Sequence, residues 1–310
     1  TLSTTTARAP AITARPVAVR TGEKLSNAHT VQGREKENPT TPRSAMIRPW
    51  RSRVDVTAAP YFGRYRGRMA AIWDLNADLG EGDPDMDARL LAAVTSANVA
   101  CGGDAGDDAS MALICRTAAA HGVTIGAQVS YVDREGFGRR RLDVEPGVLR
   151  DQIAEQIAAL DVHARAAGTS VAYVKPHGAL YHAAAVDKAT AESVVLASSG
   201  LPLLTLPHGA LVQAARDRGL DVHAEAFADR GYAPDGALVP RTHPGALLGS
   251  TDDVVARVRG LVTRGEIVAA DGSVLKVDAR SICVHSDTPG ADAIAHTVRM
   301  TIEASGAQLG

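Results

Sequence analysis

From Met69 to the C-terminus, short apolar runs of strand length alternate with longer segments of helical pattern, and no break is long enough to be a linker. That alternation constrains the fold more than any other feature. Repeated strand-then-helix units with short connections build a parallel sheet, because a parallel neighbour needs a crossover and a helix supplies it. Strands are expected at 72–76, 96–100, 123–127, 171–175, 201–206, 221–225 and 281–285. Helices are expected at 86–94, 108–121, 147–167, 188–197 and 208–218. A further helix runs from a Ser250-Thr-Asp-Asp253 cap to 262, and a last one from Thr288-Pro289 to about 304. The long helix carries Leu149, Ile153, Ile157, Leu160 and Ala164 on one stripe. Residues 267–268 and 274–275, flanking Asp271-Gly272, read as a small hairpin. Seven units fit an incomplete, seven-stranded (β/α) barrel, TIM-like, better than an open doubly wound sheet.

Aromatic residues are only 4% of the 310 residues, so the core has to be built from Ala, Val, Leu and Ile. No apolar run reaches the roughly 18 residues of a membrane span. Cys101, Cys115 and Cys283 are too few and too irregularly spaced for a disulfide framework. They read as small buried hydrophobes in a reducing, cytoplasmic setting.

Charge divides the chain. Residues 1–68 hold 13 Lys/Arg against 4 Asp/Glu, and residues 69–310 hold 20 against 31. The first segment shows no hydrophobic period and is expected to be a disordered basic extension. A nucleic-acid-binding arm, a targeting peptide and translated upstream sequence preceding a start at Met69 all compete for it. The last is preferred, since the aromatic–basic interleaving of single-strand binders is missing. Residues 69–310 are expected to form one catalytic domain.

In parallel α/β folds, function gathers where strands end. Side chains two apart on a strand share a face. Asp74, Asn76 and Asp78 therefore point together at the end of the first strand, as do Lys175 and His177, Glu225 and Asp229, and His285 and Asp287 on three others. Each alone is better explained as a helix cap or a satisfied polar residue. Four strands delivering acids, an amide, an ammonium and imidazoles to one rim are better explained by a site. Glycine-rich stretches beside them, such as Gly136-Phe137-Gly138-Arg139-Arg140, suit close approach of backbone to a ligand, and the two arginines suit a phosphate or carboxylate. The sequence contains no P-loop and no nucleophile elbow, and no G-x-G-x-x-G in the setting a dinucleotide needs.

Six stretches occur together and in order: Asp74-Leu75-Asn76-Ala77-Asp78-Leu79-Gly80-Glu81-Gly82, Ser96-Ala97-Asn98-Val99-Ala100-Cys101-Gly102, Gly136-Phe137-Gly138-Arg139-Arg140, Val174-Lys175-Pro176-His177-Gly178-Ala179-Leu180-Tyr181, Glu225-Ala226-Phe227-Ala228-Asp229-Arg230, and Cys283-Val284-His285 with Asp287-Thr288-Pro289. Over roughly residues 70–305 the chain thereby resembles the LamB/YcsF family of 5-oxoprolinase A subunits. The resemblance implies a seven-stranded barrel of the glycoside hydrolase/deacetylase type. It also implies ATP-dependent opening of 5-oxo-L-proline to L-glutamate, with ATP and Mg²⁺ held largely by two partner subunits or at an interface. No nucleic-acid or membrane partner is implied, and a homo-oligomer stays open. Catalytic candidates are Asp74, Asn76, Asp78, Lys175, His177, Glu225, Asp229 and His285. Lys175 and His177 would stabilise charge on the activated amide, Asp74 or Asp78 would act as base, and Asn76 would orient the substrate. Asn98, Asp104, Arg139, Arg140, Tyr181, Arg230 and Asp287 are candidates for binding substrate or phosphate.

The chain departs from the family pattern at two places. Gly103 and Asp104 stand where Phe and His are usual, and Gln128, Val129 and Val132 replace residues of a Gly-Ala-His-Pro-Ser-Tyr-Pro-Asp run. Related barrels hold a metal with one Asp and two His. Asp74 and Asp104 are the candidate ligands here, with Gln128 a poor third. Two alternatives follow: a stand-alone metal-dependent amide or carbohydrate deacetylase, and a non-catalytic lactam-binding or scaffold subunit.

Overall fold

A computed structural model describes residues 71–310; the expectations for the basic extension lie outside them. Seven parallel strands close into a barrel. In chain order they are β1 (Ile72–Leu79), β2 (Ser96–Ala100), β3 (Thr124–Val129), β4 (Val171–Pro176), β5 (Leu203–Thr205), β6 (Val222–Phe227) and, after a hairpin of β7 (Glu266–Val268) and β8 (Val274–Lys276), β9 (Ser281–Val284). Each pairs in parallel with the next, and β9 pairs with both β6 and β1, which closes the ring and excludes the open sheet. A short β10 (Gln308–Leu309), not expected from the sequence, adds to the start of β1.

The helices are α1 (Pro84–Leu91), α2 (Asp108–His121), α3 (Pro146–Ala166), α4 (Gly178–Val186), α5 (Lys188–Ala197), α6 (Ala210–Asp217), α7 (Thr251–Arg264) and α8 (Ala291–Ala304). Their starts have local causes. Asp107 and Ser110 form a capping box on α2, and Asp83 and Asp187 cap α1 and α5. At α7, Ser250 Oγ accepts the Asp253 N–H, and its hydroxyl donates to the Asp253 carboxylate. The core is aliphatic, with Leu75, Ile125, Ile153, Leu160 and Val298 fully buried, and all three cysteines are free and buried.

Two helices are most instructive in how they differ from expectation. Helix α4 is almost uniformly apolar, burying Leu180, Tyr181, Ala183 and Ala184, and its N-cap His177 makes no capping bond. It therefore lacks both the amphipathic stripe and the polar start that betray a helix in sequence. Helix α8 begins after Gly290, which sits in the left-handed region at φ 73°, and not at Thr288. The Thr288 hydroxyl donates instead to Asp229 Oδ2 at 2.5 Å.

Gly126 on β3 is a packing requirement. A Cβ there would lie 2.1 Å from the Tyr173 ring, which enters the barrel from β4. The register between β3 and β4 shifts at this point.

Candidate functional site

Inward-facing polar residues stack along the barrel axis in a sequence set by the period of two. Asp74 is innermost and takes hydrogen bonds from Thr95 Oγ1 (2.7 Å), Ser96 Oγ (2.8 Å) and Ser281 Oγ. Burial pushes its pKa up, and these hydroxyls only partly oppose that. Expected as a base and as a cation ligand, Asp74 has both oxygens engaged by hydroxyls and does not line the cavity described below.

Asn76 comes next. Its amide donates to Ser281 Oγ at 2.7 Å and accepts from Asn98 Nδ2 at 2.8 Å, while Tyr173 OH donates to Asn98 Oδ1 at 2.7 Å. Asn76 and Asn98 thus form a fully buried amide layer beneath the rim. Its job is to fix the groups above it.

Lys175 is the centre of the charged layer. The residue is 3% exposed, and its ammonium lies 3.0 Å from Glu225 Oε2 and 3.3 Å from Asp78 Oδ1 and donates to Asn76 Oδ1 at 3.1 Å and Cys283 Sγ at 3.2 Å. A buried cation with four partners stays charged: burial opposes the charge, but Asp78, Cys283 and Glu225 together raise its pKa well above the usual lysine value. Asp78 is held ionised in turn, against the cost of burial, chiefly by Lys175 and then by His285 and His177. Glu225 moves the other way, raised by burial more than Lys175 lowers it.

The rim adds two histidine systems. His285 Nδ1 faces both Asp229 oxygens at 3.1 and 3.2 Å, and its ring stacks on Phe227 with centroids 5.0 Å apart. Burial works against its charge, yet Asp229 raises its pKa. Asp229, buried but facing His285 and Thr288, stays low. His177 lies among carboxylates. Its Nδ1 is 3.6 Å from Glu81 Oε1 and 3.8 Å from Asp78 Oδ2, and its Nε2 is 3.4 Å from Asp104 Oδ2.

These groups border a cavity of about 480 Å³, walled by Asp78, Glu81, Lys175, His177, Tyr181 and His285 and flanked at the mouth by Arg139, Arg241 and Asp287. That is a typical size for a small-ligand pocket, about 300–1,000 Å³. Of the expected binding residues, Arg139 and Asp287 pair with one another at 2.5 Å at the mouth, and Arg241 also reaches Asp287 at 3.1 Å. Tyr181 lines the wall, and burial raises its phenol well above the usual value. Four residues are placed differently from expectation: Asn98 lies in the buried amide layer and Asp104 behind His177, neither lining the cavity, and two arginines are held elsewhere. Arg140 is tied to Asp133 through its Nε at 3.0 Å and does not reach the cavity. Arg230 borders the cavity, but its guanidinium donates to the Ala246 and Val239 carbonyls at 3.0 and 2.8 Å, holding the loop after β6.

Glu81 belongs to the site and was not singled out in the sequence. It accepts from Gln128 Nε2 at 2.8 Å and Ser286 Oγ at 2.9 Å, and burial raises its pKa. The available signal was its position between Gly80 (φ 81°) and Gly82 (φ 108°), two left-handed glycines that fold the chain back over the end of β1. Gln128, in turn, serves as the amide that holds Glu81.

For ATP and Mg²⁺, the cationic mouth of Arg139 and Arg241 fits phosphate oxygens, and the carboxylates Asp78 and Glu81 fit a hard cation. No helix among the described residues is long and apolar enough to cross a membrane.

A closed parallel barrel with ionisable side chains converging on a cavity at the strand C-termini has the build of an α/β-barrel enzyme. The chain belongs to the LamB/YcsF family, whose model matches residues 73–310. It is 52% identical over 244 residues to the 5-oxoprolinase A subunit of Streptomyces avermitilis, covering 76% of this chain and 98% of that protein. With the 5-oxoprolinase A subunit of Mycobacterium avium it shares 49% over 250 residues, covering 78% and 98%. The crystal structure of the lactam utilization protein from Thermus thermophilus superimposes with a TM-score of 0.72 at 36% identity, over 77% of this chain and 98% of that one.

Proposed function

We propose that this chain is the A-type member of an ATP-dependent 5-oxoprolinase complex, opening the ring of 5-oxo-L-proline to L-glutamate in the cytoplasm with two partner subunits. One observation carries the reading. Asp78, Lys175, His177 and the Asp229–His285 pair surround a single cavity of about 480 Å³. They do so in a chain about half identical to 5-oxoprolinase A subunits over nearly their whole length.

A lactam carbonyl is a weak electrophile, and phosphorylation of its oxygen by ATP would release ADP and open the carbon to attack by water; departure of the ring nitrogen then leaves an acyl phosphate, which a second water hydrolyses to L-glutamate and phosphate. The chain's own groups then divide the work. Lys175 and His177 place positive charge where negative charge develops. Asp78 and Glu81 are the wall carboxylates placed to orient or deprotonate the attacking water. His285, kept protonated by Asp229, is suited to give a proton to the departing ring nitrogen. Arg139 and Arg241 suit the phosphate end of the co-substrate. Asn76, Asn98, Asp74 and Glu225 lie behind this layer and hold it in place.

The test is glutamate formation from 5-oxoproline by the full chain with ATP and Mg²⁺, alone and with cognate partner subunits. Glutamate is expected only when the partners are present. A folded chain that yields none beside partners shown to be active with another protein of the same type would overturn the reading. Saturable 5-oxoproline binding in that case would identify a non-catalytic binding subunit.

A further inference from the structure

Three of the wall residues given work in the lactam reading also form a set with the chemistry of metal ligands. His177 Nδ1 lies 3.6 Å from Glu81 Oε1 and 3.8 Å from Asp78 Oδ2, and donor atoms of the three residues all fall within 4.8 Å of one another. Donors bound to one tetrahedral ion at about 2.0–2.2 Å sit roughly 3.4 Å apart. The two histidine–carboxylate spacings are a few tenths of an ångström longer than that, and the Asp78–Glu81 spacing is at most 4.8 Å.

We propose that Asp78, Glu81 and His177 bind a first-row divalent cation, Mn²⁺ or Zn²⁺, with its remaining coordination positions open to the cavity. This site differs from the Asp74–Asp104 pair suggested by the resemblance, and it goes beyond the lactam reading.

The atoms behind the three donors support it. A metal-ligating histidine characteristically presents its other nitrogen to a carboxylate, and ligating carboxylates are themselves hydrogen-bonded. His177 Nε2 faces Asp104 Oδ2 at 3.4 Å. Asp78 Oδ1 is held by Asn98 Nδ2 at 2.9 Å and by Lys175. Glu81 is gripped on both oxygens, by Gln128 and Ser286. The same Asp104–His177 pair is also incompletely satisfied. The Asp104 side chain is fully buried, yet its Oδ2 and the His177 Nε2 opposite it have no hydrogen-bond partner. A cation on Nδ1 would fix the proton on Nε2 and give Asp104 a donor. Charge points the same way. Asp78, Glu81 and Asp104 all crowd one imidazole, while Lys175 is shared with Glu225. Another candidate group, Asp78 with Cys283 and His285, is less available, because Cys283 accepts from Lys175 and His285 is committed to Asp229.

The test uses the full chain, stripped with chelator and checked for folding by circular dichroism. Titration with MnCl₂, followed by the electron paramagnetic resonance of free Mn²⁺, is expected to show one bound ion per chain. Pulsed measurements on bound Mn²⁺ are expected to show coupling to an imidazole nitrogen that disappears in His177→Gln. Glu81→Gln and Asp104→Asn are each expected to weaken binding at least about tenfold, whereas the exposed control Asp271→Asn leaves it unchanged. Absence of stoichiometric binding to the folded chain, binding without nitrogen coupling, or equal affinity in Glu81→Gln would overturn the proposal. No lactam, ATP or partner subunit enters the measurement, so its failure leaves the lactam reading intact.

Discussion

Replacing Lys175 with Met keeps the volume of the side chain and removes its charge, which isolates the electrostatic role of the buried ammonium. The distances to Glu225 (3.0 Å) and Asp78 (3.3 Å) correspond to about 5 kcal/mol of attraction each at an effective dielectric of about 20. Much of that is cancelled, because the variant no longer has to bury an ammonium. The net cost expected for breaking a buried ion pair while its partners remain is about 3–5 kcal/mol. The cost should depend on pH with a definite sign. In the native protein Asp78 is held below its unfolded value, so its contribution is present at neutral pH and is lost in acid. In Lys175→Met Glu225 is buried without a counter-ion and Asp78 keeps only His285 and His177, so the folded values of both rise. The folded variant therefore takes up protons as pH falls, and the deficit shrinks. Urea unfolding monitored by circular dichroism at about pH 5 and about pH 8 measures this directly. The loss should be largest at the higher pH. A loss below about 1 kcal/mol at about pH 8, or an equal loss at both, would refute the buried-ammonium argument.

Asp229→Asn removes the acid that keeps His285 protonated, so the alkaline limb of the kcat/KM profile in the assembled complex should move to lower pH; an unmoved limb would remove His285 as the acid. Asp87, 7% exposed, accepts the Gly80 N–H through both oxygens at 3.1 Å, and burial lifts its pKa to about 6. Because the folded state holds this proton more tightly than the unfolded one, stability should fall by up to about 3 kcal/mol as pH rises from about 4 to about 6. Asp87→Asn should flatten that segment of the unfolding profile. Gly126→Ala places a methyl group 2.1 Å from the Tyr173 ring and should cost about 1–3 kcal/mol in a thermal melt; Gly122→Ala, where the added atom meets nothing but φ is 67°, should cost less and leave the interior unperturbed.

The strand–helix alternation and the parity of polar residues were local properties, and they were legible. A side chain's face follows from its position modulo two, so Asp74, Asn76 and Asp78 could be placed inside the barrel before any strand was paired. Likewise Ser250 announced a helix start, because a cap bonds within three residues of itself. Where a local signal was weak, the reading failed: α4 has neither stripe nor capping bond.

Tertiary structure decided which of those inward groups meet. The Lys175 cluster joins β1, β4, β6 and β9, strands bonded across as many as 205 residues between Asn76 and Ser281, and only closure of the ring brings them within contact. Depth along the axis was equally hidden. Parity could not tell that Asp74 is sealed beneath hydroxyls while Asp78, on the same face of the same strand, walls the cavity. Two adjacent arginines look equivalent in sequence, yet Arg139 flanks the mouth and Arg140 is held by Asp133. The amino-acid sequence by itself determined the barrel and the chemical kinds of side chain inside it, since those follow from short-range periodicity. The pairing of Asp229 with His285, of Glu81 with Gln128 and of Asp104 with His177 came from barrel closure and loop geometry, because contacts between distant segments depend on register and tilt that no local pattern encodes.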